Sequence, residues 1–290
     1  MFDTADFTLT AYTASDGENL AVYDWPLAEG SAQRGTVLLV HGLGEHAGRY
    51  HAVAHHLNAW GFAVRAYDQY GHGQSGGPRG GLNHDMRLLD DLADMVDATR
   101  ARTPEGLPLV LLGHSMGGLV AARFVAMHLR PVDALVLSSP ALDPGLNAVQ
   151  KVLLATLPGV APNLRISNGL DADFLSHDPA VVEAYQADPL CHDRISTRLA
   201  RFIADGGPAT AARAAHWSVP TLLMWAGDDR LVQPAGSAAF AAAAPGAVVQ
   251  SRCFEGLYHE LFNETSDLAA PVFQRLHEWL DLLFPAEILP

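Results

Sequence analysis

The stretch Leu109-Val110-Leu111-Leu112-Gly113-His114-Ser115-Met116-Gly117-Gly118-Leu119-Val120 constrains this chain more than any other. Leu109–Leu112 is a short, unbroken apolar run behind Pro108, the pattern of a strand buried on both faces of a parallel sheet. After Gly118, Leu119, Val120, Phe124 and Val125 recur at helical spacing. Between strand and helix lies Gly113-x-Ser115-x-Gly117, a nucleophile elbow. A strand that turns sharply into a helix leaves no space for side chains beside the serine, so glycine flanks it. Such a turn pushes the Ser115 hydroxyl outward, and the unpaired amides of the new helix can receive negative charge. His114, inside the turn, is read as a packing residue facing away from the serine's side.

The flanking segments fit the same architecture. Phe7–Tyr12 and Leu20–Trp25 alternate in polarity about Asp16-Gly17, the mark of a hairpin at a sheet edge. Thr36–Val40, Phe62–Tyr67 and Ala134–Leu137 are predicted strands, and Tyr50–Trp60 and Leu89–Thr103 predicted helices. From Leu142 to Trp217 the rhythm changes to helical segments over Asn147–Leu157, Pro179–Gln186 and Thr197–Ala204, with no convincing strand. Pro158, Pro162, Pro189 and Pro208 punctuate this stretch. The alternation resumes with strands Pro220–Ala226 and Val248–Phe254 and helices Ala235–Ala244 and Pro271–Leu283. The predicted fold is α/β, a mostly parallel central sheet with helices on both faces and an inserted helical cap. Residues 1–141 and 218–290 form the core and 142–217 the cap, over the strand ends where open α/β sheets bind ligands.

A serine nucleophile needs a base and an acid to orient that base, and this architecture orders them serine, acid, histidine. After Ser115, one strand ends in Gly227-Asp228-Asp229-Arg230 and the last in Glu255-Gly256-Leu257-Tyr258-His259-Glu260. His259 is therefore the predicted base, and Asp228 or Asp229 the acid. Two amides must face the developing oxyanion. These are assigned to Met116, after the nucleophile, and to Leu43 in the loop His41-Gly42-Leu43-Gly44, with His41 holding the loop's shape.

Other chemistries fit less well. Gly42-x-Gly44-x-x-Ala47 followed by Asp68 approaches a dinucleotide fingerprint, but a hairpin precedes the supposed first strand and Asp68 lies far along. His51 and His55 are four apart on a helix without a third ligand, so no metal is assigned, and no cofactor. A net charge of −14 argues against nucleic acid. Two cysteines, Cys191 and Cys253, form no disulfide framework. No basic leader and no run of about 18 apolar residues is visible, so the expectation is a cytoplasmic protein without a transmembrane segment. The oligomeric state is left open.

With these residues placed, the chain resembles the α/β-hydrolase superfamily, in particular its monoacylglycerol lipase and lysophospholipase branch. His41-Gly42-Leu43-Gly44-Glu45-His46-Ala47-Gly48-Arg49-Tyr50 is similar to that branch's H-G-x-G-E-H-x-x-R-Y segment. Asp68-Gln69-Tyr70-Gly71-His72-Gly73-Gln74-Ser75 is similar to its D-x-x-G-H-G-x-S segment. Gly113-His114-Ser115-Met116-Gly117-Gly118, Asp229-Arg230-Leu231-Val232 and Tyr258-His259-Glu260 match as well, and the resemblance selects Asp229 over Asp228. It implies ester hydrolysis through an acyl-enzyme, with monoacylglycerols, lysolipids or similar single-chain esters as substrates and transient contact with lipid surfaces. Val149, Val152, Leu153 and Leu157 are expected either to line an acyl channel or to pack the cap onto the core. The rivals are an aminopeptidase of the proline-iminopeptidase type, using cap carboxylates such as Asp171, Asp173, Asp178, Glu183 or Asp188 to hold an amine, and a non-catalytic binding protein on the same fold.

Overall fold

The structure is a computed structural model that describes residues 7–286. Its chain order begins with strands β1 (Thr8–Thr13), β2 (Asn19–Trp25) and β3 (Gly35–Val40), helix α1 (His51–Ala59), strand β4 (Phe62–Tyr67) and helix α2 (Arg87–Arg100). It continues with β5 (Leu109–His114), α3 (Ser115–Ala126) and β6 (Ala134–Ser138). The inserted stretch holds α4 (Ala148–Val160), β7 (Arg165–Ser167), α5 (Pro179–Ala187), β8 (Arg194–Ser196) and α6 (Thr197–Ala211). The chain then returns with β9 (Thr221–Ala226), α7 (Pro234–Ala243), β10 (Val249–Phe254) and α8 (Ser266–Leu283).

The central sheet has eight strands in the order β1-β2-β4-β3-β5-β6-β9-β10. Only β2 runs against the rest, since it pairs antiparallel with both β1 and β4 while every other pair is parallel. Residue parity divides the core. Val37 and Leu39 of β3 and Val110 and Leu112 of β5 face α1 and α8, where Leu57, Leu276 and Trp279 pack. Leu38, Val40, Leu109 and Leu111 face the other way, toward Leu92, Leu119 and Phe202. Both layers are buried, so each inner strand reads as a continuous apolar run. Parallel strands bring the ends of β3, β5, β9 and β10 to one edge, and the loops that leave them carry the site.

Two features of the insertion depart from the sequence reading. Arg165–Ser167 and Arg194–Ser196 pair antiparallel as a small second sheet. Strands of three residues are too short to show a two-residue period. Prolines also mark no boundary in α4 or α6, where Pro158 and Pro208 lie inside the helices. In α6 tertiary packing overrides propensity. A Cβ on Gly207 would stand 2.1 Å from the Leu142 carbonyl, and one on Gly206 would meet Leu119 of α3 at 3.3 Å. Leu199, Phe202 and Ile203 of α6 join the same buried cluster as the sheet, so this part of residues 142–217 packs as core.

Candidate active site

The turn after β5 is as tight as its glycines suggest. Ser115 has φ +55, a left-handed conformation that costs a non-glycine residue on the order of 1 kcal/mol or more. A Cβ on Gly113 would sit 2.5 Å from the Gly117 carbonyl oxygen, and one on Gly117 would sit 2.2 Å from that of Val40. Gly42, in the loop after β3, comes so close that its Cβ would stand 3.1 Å from that of Ser115.

His259 and Asp229 leave the ends of β10 and β9. The His259 Nδ1–H donates to Asp229 Oδ2 at 2.7 Å, and both residues are buried. Asp229 Oδ1 accepts the Leu231 and Val232 amides at 2.9 and 3.0 Å. Burial pushes the Asp229 carboxyl up, but His259 and these amides outweigh it and hold it below its ordinary value. Burial alone would lower the His259 pKa, whereas Asp229, helped by Glu260 and Glu45, raises it. Asp228 is exposed, with its backbone amide on the Leu257 carbonyl.

Ser115, His259, Gly42 and Leu43 line one cavity open to solvent. Its lining includes the apolar Leu170, Leu175, Leu231 and Val232 and the polar Glu45, Glu260 and Tyr185. The Met116 amide lies in the first turn of α3, where helix geometry supplies no backbone acceptor. The arrangement puts a hydroxyl, an imidazole with its second nitrogen free of Asp229, and two backbone segments around one space. That combination suits acyl transfer.

The loop carrying Leu43 is held from several sides. His41 is buried, and its Nε2 accepts the Gln69 amide at 2.9 Å, which leaves Nδ1–H to donate to the Gly42 carbonyl at 2.7 Å. Burial lowers the pKa of this ring, consistent with a neutral brace. Asp68 accepts the amides of Ala47 and Gln74 at 2.8 and 2.7 Å. The acid of the apparent dinucleotide fingerprint is thus spent on the protein's own backbone. Gly44's carbonyl accepts the His192 amide at 2.9 Å and the Tyr185 hydroxyl at 3.2 Å, tying the loop to the insertion.

Other expected positions fall differently. His114 does not face away: it lines the cavity, its ring centroid 4.8 Å from that of His259 and its Nδ1 3.2 Å from Ser138 Oγ. The left-handed turn at Ser115 breaks strand alternation, so neighbouring side chains converge. Burial, followed by the neighbouring His259, lowers the His114 pKa to about 4. In α4, Val152 and Leu153 are 65% and 51% exposed, and neither these nor Leu157 lines the cavity. The α4 stripe therefore corrects the acyl-channel expectation. Packed beside α6 and away from the sheet, α4 turns this face to solvent. The Val149 side chain lies outside the described residues. Among the rival's cap acids, Asp171 lines the cavity, Asp178 caps α5, and Asp188 pairs with His46 at 2.8 Å.

Glu45, Arg49 and Glu260 are the residues that reasoning by role missed. Arg49 donates to Glu45 at 2.6 Å and to both oxygens of Glu260 at 2.6 and 2.8 Å. The four-residue spacing of Glu45 and Arg49 was the available signal. His46, Asp188 and Cys191 bring three potential metal donors within 4.8 Å. His46 Nε2, however, already donates to Asp188 while its Nδ1 accepts the Gly48 amide at 3.2 Å. A metal on Nε2 would break the first bond and force a proton against the second.

The chain is similar to known proteins in sequence and in fold. A family model described as serine aminopeptidase, S33, matches residues 31–266. A monoacylglycerol lipase of Mycolicibacterium smegmatis is 39% identical, over 80% of this chain and 83% of its own. Phospholipase YtpA of Bacillus subtilis is 34% identical, over 79% of this chain and 88% of its own. The solved structure of a soluble variant of monoglyceride lipase from Saccharomyces cerevisiae, in complex with a substrate analog, superposes with a TM-score of 0.87. It is 25% identical and covers 99% of this chain and 98% of its own.

Proposed function

Because the chain belongs to the serine aminopeptidase, S33, family of α/β-hydrolases, within it close to monoacylglycerol lipases, we propose that it hydrolyses the ester of a single-chain lipid, a monoacylglycerol or lysolipid, through an acyl-enzyme. The observation that carries the reading is the shared cavity of Ser115 and His259, with His259 bonded to Asp229 at 2.7 Å. His259 Nε2 takes the Ser115 proton as the hydroxyl oxygen attacks the ester carbonyl. Asp229 keeps the remaining proton on Nδ1 and stabilises the imidazolium that forms. The Leu43 and Met116 amides receive the oxyanion, each worth roughly 3 kcal/mol of barrier. His259 then protonates the leaving alcohol, and a water, deprotonated by the same nitrogen, releases the fatty acid.

The lining suits such a substrate: Leu170, Leu175, Leu231 and Val232 can cover an acyl chain, and the Tyr185 hydroxyl oxygen can accept a hydrogen bond from an alcohol. Leu170 is 38% exposed as well as cavity-lining, and Ile166, Leu164, Leu153 and Val152 of the same inserted stretch are exposed too. We read residues 142–217 as a cap and these exposed apolar side chains as its points of transient contact with lipid. No helix among the described residues is long and apolar enough to cross a membrane. Two free thiols, Cys191 and Cys253, fit a cytoplasmic setting.

The test is turnover of purified protein against mono-, di- and triacylglycerols, lysophospholipids and an aminoacyl-naphthylamide. The expected result is hydrolysis of single-chain esters without cleavage of the amide. Amide cleavage with no ester turnover would favour the peptidase reading and place Asp171 in the role of amine ligand.

A further inference from the structure

The carboxylate of Glu45 sits in the loop after β3, the loop that carries Leu43, and reaches the base's loop through Arg49. It is buried, and its Oε1 accepts the Gly42 amide and the Tyr50 hydroxyl, each at 2.6 Å. Its Oε2 accepts Arg49 at 2.6 Å, and the same guanidinium grips Glu260 with two bonds. Asn263 completes the far end by donating to Glu260 Oε2 at 2.8 Å. The Tyr185 ring lies 5.0 Å from the guanidinium carbon. One polar chain thus runs from Gly42, next to Leu43, to Glu260, next to His259, across 211 positions of sequence between Arg49 and Glu260.

Stability alone is a poor reason for such a chain. Two carboxylates share one buried cation, and replacing buried ion pairs by apolar packing is often neutral or stabilising. What directional hydrogen bonds provide is aim. Gly42 can neither drift toward Glu45 nor carry a side chain, since a Cβ there would meet Glu45 Oε1 at 2.8 Å. An oxyanion donor acts only when it points at the oxygen of the transition state.

We propose that Glu45 is a positioning residue of the reaction: through the Gly42 amide it aims the Leu43 N–H, and through Arg49 and Glu260 it fixes that aim relative to His259. The inference rests on the ester-hydrolase reading above. It predicts a loss confined to the transition state, which lowers kcat and leaves KM in place. A charge effect accompanies it. His259 is faced by Asp229, by the adjacent Glu260, by Glu45 and Arg49 from the loop after β3, and by His114 from β5. Removing the Glu45 charge takes away one of the anions that hold the imidazolium, so the acid limb of the rate profile moves to lower pH.

The experiment compares wild type, Glu45→Gln, Arg49→Met, Arg49→Lys and the double variant E45Q/R49M on a water-soluble p-nitrophenyl ester, with full pH profiles and melting temperatures. The expected result for Glu45→Gln is a kcat about tenfold to a hundredfold lower, with KM within threefold. Its acid limb shifts downward, and the double variant loses little beyond the single one because both cut the same chain. Arg49→Lys, which keeps the charge but not the double grip on Glu260, carries the test should Glu45→Gln fail to fold, and loses kcat at constant KM. An active wild type with Glu45→Gln and Arg49→Lys both within twofold of it overturns the positioning role and leaves the enzyme reading standing. So does a loss that tracks melting temperature, with the acid limb unmoved and the two substitutions additive. A folded wild type that turns over no ester overturns both.

Discussion

The loop over residues 41–50 and helix α4 of the inserted stretch are built on opposite terms. In the loop, His41, Glu45, His46 and Tyr50 are all buried, and each has hydrogen-bond partners of its own. Along α4 and the strand that follows it, Val152, Leu153, Val160, Leu164 and Ile166 are exposed. A polar group is costly to bury without partners, so the loop's geometry is strongly determined. An apolar group is costly to leave in water, so α4's face gains on meeting any apolar surface. On the proposed function the comparison separates two tasks: the loop would hold the reacting atoms still, and the helix would meet the material that supplies them.

The comparison is broken most severely at the chemistry itself. Ser115→Ala is expected to fold with the wild-type melting temperature and to show ester turnover near background, by steady-state assay. Retained turnover would remove Ser115 from the reaction. Asp229→Asn keeps the shape but permits the wrong imidazole tautomer, and kcat is expected to drop about a thousandfold to ten-thousandfold. A loss under tenfold would indicate that another group orients His259, and exposed Asp228 would be the first to examine.

A substitution on α4 sharpens the contrast, because it should touch delivery and not chemistry. Val152→Asn with Leu153→Asn is expected to weaken sedimentation with neutral phosphatidylcholine vesicles about fivefold to thirtyfold, since the two side chains are half or more exposed and can bury roughly 1 kcal/mol each on contact. Turnover of a soluble short-chain ester should stay within twofold. Unchanged vesicle binding would deny α4 its role at lipid surfaces.

The smallest effect concerns acid. Burial lowers the pKa of His41 and His72, and lowers that of His114 and His192 to about 4. The unfolded chain binds protons at these positions from about pH 6.5 downward, while the folded chain binds them later, so stability falls as pH drops from 6.5 toward 4. Asp91, raised to about 6 by burial against the pull of Arg87, opposes them as a single group. His259, raised by Asp229, contributes stability that is present below pH 6.5 and lost as pH rises through its folded pKa, so it adds nothing to the acid decline. The melting temperature is expected to be lower at pH 4.5 than at pH 6.5. A flat profile would mean that these rings are protonated in the folded state.

Most of the fold was legible because burial on both faces leaves a simple mark: Leu109–Leu112 and Thr221–Ala226 are apolar runs of strand length with helical spacing behind them. The positions of Ser115, Asp229 and His259 derive from that topology, since parallel strands deliver the loops at their C-terminal ends to one edge. Besides the short strands β7 and β8 and the prolines inside α4 and α6, three things were not legible. The direction of His114 depends on a backbone reversal at Ser115, which the alternation rule does not contain. The outward face of α4 depends on how a helix is docked, and an apolar stripe looks the same whether it faces a channel or solvent. The Glu45–Arg49–Glu260 chain joins parts of the sequence that share no local pattern, so only the fold reveals that Glu260 belongs to it.

The most direct measurement is reaction with a fluorophosphonate, then intact-mass analysis and peptide mapping. The account predicts one phosphonyl group, on Ser115, at a rate that falls more than about a hundredfold in His259→Ala, because the unassisted hydroxyl is a weak nucleophile. A label that lands on another residue, or one that reaches Ser115 just as fast without the imidazole, would contradict it.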